Sequence, residues 1–247
     1  MARVAALWLL LLSSTGAWAD SVHVAVATNF APACRAIADA FTAATKHEVV
    51  ISDGSSGRLF AQITHGAPFE VFLSADAERP RRLEADRQAV AGTRFAYALG
   101  RLALWSARDD FVRDEAVLRS DDFAHLAIAN PELAPYGVAA RDVLEHLGLW
   151  DRLQPKLVRG EDIGQTFHFV SSGNAELGFV ALSQLAGEKG GSRWLVPAKL
   201  HAPIEQQVVL LQTGKDDPAA RAFLDFLKGR EARLLIERAG YGLPSRP

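Results

Sequence analysis

Short runs of β-branched residues alternate with segments of helical periodicity along almost the whole chain, and this alternation constrains the fold more than any other feature. Residues 22–27 read as a strand. Phe30, Ala33, Cys34, Ile37, Ala38 and Phe41 then recur at the spacing that places them on one helix face. Strands at 47–51 and 70–74 and helices at 57–64 and 77–87 continue the series. Such alternation predicts an α/β fold with mostly parallel sheets flanked by helices.

A long extended run at 95–106, FAYALGRLALWS, interrupts the series, with Gly100 in its middle. A second series follows, with strands at 127–129, 156–158 and 177–180 and helices at 136–147 and 164–170. A further extended run covers 201–212, and helices at 218–228 and 230–239 end the chain. Two extended runs bracketing the second series predict two lobes, with two crossover strands forming the hinge near 98–101 and 204–207. Lobe I takes residues 20–99 and 206–247, and lobe II residues 100–205. The cleft between them is the natural ligand site.

Residues 1–19 follow the pattern of a secretory signal peptide: Arg3, an apolar run over 4–12, then small residues ending Ala17-Trp18-Ala19. An apolar run that short cannot cross about 30 Å of hydrocarbon. Cleavage after Ala19 predicts a soluble, exported protein of 228 residues (247 minus 19), and no Cys stands there to carry a lipid anchor. The formal charge of −2, from 27 basic and 29 acidic residues, becomes −3 once Arg3 leaves (26 against 29). That balance argues against a nucleic-acid partner, whose footprint is a basic excess. One Cys excludes an intramolecular disulfide, and the 7 His show no metal-ligand spacing.

Four strand-to-helix turns carry small hydroxyl, amide or glycine residues where a helix begins. They are Ala27-Thr28-Asn29-Phe30, Asp53-Gly54-Ser55-Ser56-Gly57, the turn from Asn130-Pro131 to Ala134-Pro135-Tyr136-Gly137, and Glu161-Asp162-Ile163-Gly164. A helix start presents unpaired N–H groups and the positive end of a dipole, so it attracts anions. Any one turn is equally well explained by ordinary capping. The four together, converging on one cleft, would hold many donors and few charges. The Gly-Ser-Ser-Gly string lacks the Lys and spacing of a phosphate-binding loop and the pattern of a nucleophile elbow.

At these turns the chain resembles the periplasmic molybdate-binding proteins of ABC transporters. The resemblance is carried by VAVATNF at 24–30, VVISDGSSGRLFAQITHGAPFEVFLSADAERP at 49–80, YALGRLALWS at 97–106, IANPELAPYGVAARDVLEHLG at 128–148, LGFVALSQL at 177–185 and AGYGLP at 239–244. It implies a two-lobed type II periplasmic binding protein fold and a bound molybdate or tungstate, passed to an ABC transporter permease by a monomer. It implies no enzymatic activity, no cofactor and no direct metal-cation ligands. Carried over residue by residue, it assigns the oxyanion to Thr28, Asn29, Ser56, Tyr136 and the main-chain N–H of Ile163. Many relatives have Ala-Ser at 28–29 and a Tyr at the position of Ala181. Here Tyr136, in the Pro-Tyr-Gly turn, is expected to supply the phenol.

Donors without carboxylates suit the chemistry. Molybdate at neutral pH is fully deprotonated, so each oxygen accepts and none donates. Hydrogen phosphate carries a proton that needs an acceptor, and an unmatched buried group costs roughly 1–3 kcal/mol. Sulfate passes the same test and is excluded only by cavity size. The rival readings are therefore a receptor for sulfate or another oxyanion, a hydrolase using Ser55 or Ser56, and the sensing domain of a regulator. Of the remaining features, Cys34 reads as an inert core thiol, and His47 and His65 as surface residues. The charge-dense segment 78–87 reads as a solvated helix face, with docking of the transporter as its alternative role.

Overall fold

The computed structural model describes residues 20–244; the expected signal peptide lies outside them. The first lobe contains β1 (Ser21–Ala27), α1 (Ala31–Thr45), β2 (Glu48–Gly54), α2 (Ser56–Thr64), β3 (Val71–Ser74), α3 (Glu78–Ala85) and β4 (Phe95–Gly100). The second contains β5 (Leu102–Ser106), β6 (Leu126–Ala129), α4 (Pro135–His146), the one-turn α5 (Trp150–Leu153), β7 (Leu157–Gly160), α6 (Ile163–Ser171), β8 (Leu177–Ala181) and β9 (Ser192–Leu195). The chain returns through β10 (Ile204–Leu210) and ends on α7 (Pro218–Lys228) and α8 (Arg230–Arg238), both packed on the first lobe.

Each lobe is built on a five-stranded sheet, in the order β2-β1-β3-β10-β4 and β7-β6-β8-β5-β9. Three strands of each are parallel, as the alternation predicts, but β10 runs antiparallel to β3 and β4, and β5 antiparallel to β8 and β9. The sheets are therefore mixed, with four of the five strands in each running the same way and one reversed, for a geometric reason. Both parallel cores end at the same cleft. A strand that leaves the first lobe across the cleft must enter the second against the direction of its core, and the returning strand does the same in the first. The edge strand β9 has no counterpart in the sequence reading, since four residues after a Gly-Gly pair show too little periodicity.

The first-lobe core forms because α1 turns Cys34, Ile37 and Phe41 against β1 and β3 while α7 and α8 cover the same face with Phe223, Leu227 and Ile236. Pro32, which has no N–H to lose, fits the first turn of α1. Lys46, at φ 72°, ends it in the left-handed conformation. Burying side chains such as Ile37 and Phe41 completely contributes roughly 1.5–3 kcal/mol each. Cys34 sits inside this core, and burial pushes its thiol up to about 12, which makes it inert. His47 is half-buried, stacked over Phe41 at 6.2 Å, rather than the surface residue expected. In α3 only Pro80 and Leu83 are buried, so its charges do face solvent.

Candidate functional site

Strand register brings the turns together in pairs. Ala27 at the end of β1 lies beside Gly54 at the end of β2, so the turns at 28–30 and 55–57 leave the first sheet side by side. Ala129 at the end of β6 pairs with Gly160 at the end of β7, which does the same for the turns at 130–135 and 161–163. The carboxyl ends of both parallel cores therefore face one another, the usual position of a ligand crevice in α/β sheets.

Between them lies a small cavity lined by Thr28, Asn29, Ser56, Tyr136 and Ile163. All five residues singled out from the sequence meet there. The rest of the lining is alanine, glycine, proline and Ser55, so no ionisable carboxylate, ammonium, guanidinium or imidazole borders it. A larger cavity beside Arg94, Phe95 and Arg233 contains none of the five. Ala181 is buried at the end of β8 and does not border the site, so the phenol at this cavity belongs to Tyr136.

Local structure decides which groups remain available. In α2 the capping Ser55 hydroxyl accepts from Arg58 N–H at 3.4 Å, and Gly57 N–H donates to Leu133 C=O of the other lobe at 2.8 Å. In α6 the capping Asp162 carboxylate accepts from Gly164 and Gln165 N–H at 2.7 and 2.9 Å. At both helix starts the second and third N–H groups are thus satisfied. The first, on Ser56 and on Ile163, has no acceptor among the described residues.

The side chains follow suit. Ser56 Oγ accepts from Ala75 N–H at 2.9 Å, which leaves its proton to donate. Thr28 Oγ1 is buried and has no hydrogen-bond partner among the described residues. Buried hydroxyls are normally paired, so an orphan at a cavity wall points to a missing acceptor. Tyr136 is 1% exposed and accepts from Gln206 Nε2 at 3.4 Å. Burial, with Tyr241 nearby, holds its phenol well above the usual tyrosine range, so it stays protonated as a donor. The Asn29 side-chain nitrogen donates to Gln206 and Tyr241, at 3.0 and 3.1 Å, so that nitrogen is held by the protein.

The lobes are in contact across the site. Besides the Gly57 bond, Arg58 and Glu161 pair at 3.5 Å, and Ala27 and Ala75 join the core of the opposite lobe. The exposed ion pair contributes little. The approach is also close at Gly164, where an added Cβ would lie 2.7 Å from Thr28 Cγ2. Gln206 and Tyr241, which organise the polar groups behind the cavity, were not singled out from the sequence. The signal was there: Glu205, Gln206 and Gln207 stand together in a strand whose other residues are apolar. Neither Ser55 nor Ser56 hydrogen-bonds a histidine among the described residues, so the arrangement of an activated nucleophile is not found there. A closed set of neutral donors suits a small species that accepts on every side.

Residues 22–242 match the family model described as bacterial extracellular solute-binding protein. The chain is 48% identical over 240 residues to the molybdate-binding protein ModA of Rhodobacter capsulatus, covering 97% of this chain and 95% of that protein. It is 50% identical over 236 residues to the molybdate-binding protein ModA of Azotobacter vinelandii, covering 94% of each. The solved structure of the Azotobacter vinelandii periplasmic molybdate-binding protein superposes with a TM-score of 0.88 at 43% identity, over 91% of this chain and all of that one.

Proposed function

Because the chain belongs to the bacterial extracellular solute-binding proteins, we propose that it captures molybdate or tungstate in the periplasm and delivers it to an ABC transporter permease. It acts as a monomer, without cofactor and without covalent chemistry. The oxyanion sits between the lobes and accepts from the hydroxyls of Thr28, Ser56 and Tyr136 and from main-chain N–H groups at the turns of 28–29, 56 and 163. The observation that carries this reading is the unpaired Thr28 hydroxyl in a cavity with no charged or basic lining. Neutral donors fixed by helix starts need little reorganisation to meet a dianion, whereas a buried cation must first be desolvated. Hydrogen phosphate finds no carboxylate or imidazole to accept its proton in this lining. Sulfate does fit the donor set, and the molybdate-binding relatives favour the larger ion.

Titration calorimetry with molybdate, tungstate, sulfate and phosphate tests the reading. Molybdate or tungstate at a hundred times its Kd is expected to add about 2.7 kcal/mol of stability, and phosphate none. Tight sulfate binding without molybdate or tungstate binding would replace the proposed ligand. Thr28→Val keeps the side-chain shape and removes the hydroxyl. It is expected to weaken molybdate binding tenfold to a hundredfold, the effect of about 1–3 kcal/mol. Thermal unfolding of the unliganded variant should match or exceed that of the wild type, since no protein hydrogen bond is lost. Unchanged molybdate affinity would remove Thr28 from the site.

A further inference from the structure

Tyr136 can serve a fully deprotonated oxyanion only if its phenolic proton points into the cavity. A phenol both donates and accepts, so its neighbours settle the direction. Tyr241 Oη lies 2.6 Å from the carbonyl oxygen of Asn29, and a carbonyl has no proton to give, so the proton in that bond is Tyr241's. The Tyr241 oxygen is then an acceptor, and Asn29 Nδ2 donates to it at 3.1 Å. The same nitrogen donates to Gln206 Oε1 at 3.0 Å, and Tyr97 Oη, also at 3.0 Å, is a second donor to that oxygen. With its oxygen turned to Asn29, the Gln206 amide presents Nε2 to Tyr136 Oη at 3.4 Å. Every link runs in one direction. The last makes Tyr136 an acceptor toward the protein and leaves its proton for the cavity.

The backbone is shaped for this chain. β10 slips register against β4 between Gln206 and Gln207, which aims two successive glutamines differently. Gly100, opposite the start of β10, leaves the room: an added Cβ there would lie 2.5 Å from Tyr136 Oη and 3.1 Å from Gln206 Nε2. Asn29, Tyr136, Gln206 and Tyr241 are each at most 5% exposed, so water does not reorient the chain. Gln206 does not itself border the cavity.

We propose that Gln206 is a positioning residue that fixes Tyr136 as a donor, and that the Tyr241–Asn29–Gln206 chain thereby selects fully deprotonated oxyanions over protonated ones. This rests on the oxyanion reading above and adds to it the residues that set proton selectivity. The test is calorimetry with molybdate, and displacement of molybdate by excess phosphate, in the wild type, Gln206→Met, Tyr136→Phe and the double variant. Gln206→Met is expected to weaken molybdate about tenfold, the scale of one hydrogen bond to a charged group. It should narrow the molybdate-to-phosphate ratio by a similar factor. The double variant should bind molybdate no more weakly than Tyr136→Phe alone, because both changes remove the same donated proton. Multiplying effects, or equal weakening of both anions, would overturn the inference. If Gln206→Met does not fold, Tyr241→Phe combined with Tyr97→Phe removes both hydroxyls that fix the Asn29–Gln206 pair. It should narrow the same ratio, and an unchanged ratio counts against the chain. Wild-type protein that binds neither molybdate nor tungstate would overturn the functional reading instead.

Discussion

Replacing Ser56 by aspartate is expected to abolish molybdate binding and leave the fold in place. Ser56 is the first residue of α2, where an acidic side chain is favoured by the helix dipole. The new carboxylate can keep the bond from Ala75 N–H that the hydroxyl now accepts. It also sits where the ligand's charge belongs, and it takes the donors the ligand needs. At an effective dielectric of about 20, like charges about 4 Å apart repel by about 4 kcal/mol for each unit of ligand charge. Even half of that for a dianion weakens binding about a thousandfold. Ser56→Ala, which removes one donor and adds no charge, should cost only tenfold to a hundredfold. Calorimetry on both variants checks the ordering. Molybdate binding by Ser56→Asp within tenfold of wild type would place the site elsewhere.

Ile163→Pro tests a main-chain donor directly. Ile163 opens α6, a position proline tolerates because its N–H has no helical acceptor. The preceding Asp162 is extended at φ −143° and ψ 178°, as a residue before proline should be. The substitution therefore deletes one N–H while the helix and its Asp162 cap survive. Ile163 is also buried in the second-lobe core, so Ile163→Ala serves as the control for lost packing. Both variants should melt earlier than the wild type, by an amount set by the missing side-chain carbons. Only the proline variant should lose molybdate affinity, again tenfold to a hundredfold for a bond to a charged acceptor. If the two variants bind alike, Ile163 N–H is not a ligand donor.

Much of this site was legible before any coordinates. Small polar residues at strand ends marked four helix starts, and the family resemblance assigned the five residues that line the cavity. What was not legible is how each residue takes part. The resemblance assigns Asn29 to the site without saying which of its groups takes part. The engagement of Asn29 with Gln206 and Tyr241, 177 and 212 residues away in sequence, has no local signature. The one reversed strand in each sheet was not legible for a similar reason. Periodicity reports which face of a strand is buried and carries no information on which way its neighbour runs.

Local chemistry, then, is decided along the chain: the helix starts, the caps at Ser55, Asp162 and Asp217, and the core face of α1. These depend on residues within four positions of one another, so periodicity and side-chain type suffice to read them. The meeting of the turns depends on strand register, which pairs Ala27 with Gly54 and Ala129 with Gly160 and sets two sheets end to end. The freedom of particular donors depends on which N–H groups a distant carbonyl has already taken, as Leu133 takes that of Gly57. Hydrogen bonds between segments far apart in sequence exist only once the chain has closed around them: the bond from Gly57 to Leu133 is one, and it completes at α2 what the local Asp162 cap does alone at α6, leaving the first N–H of each without a partner among the described residues.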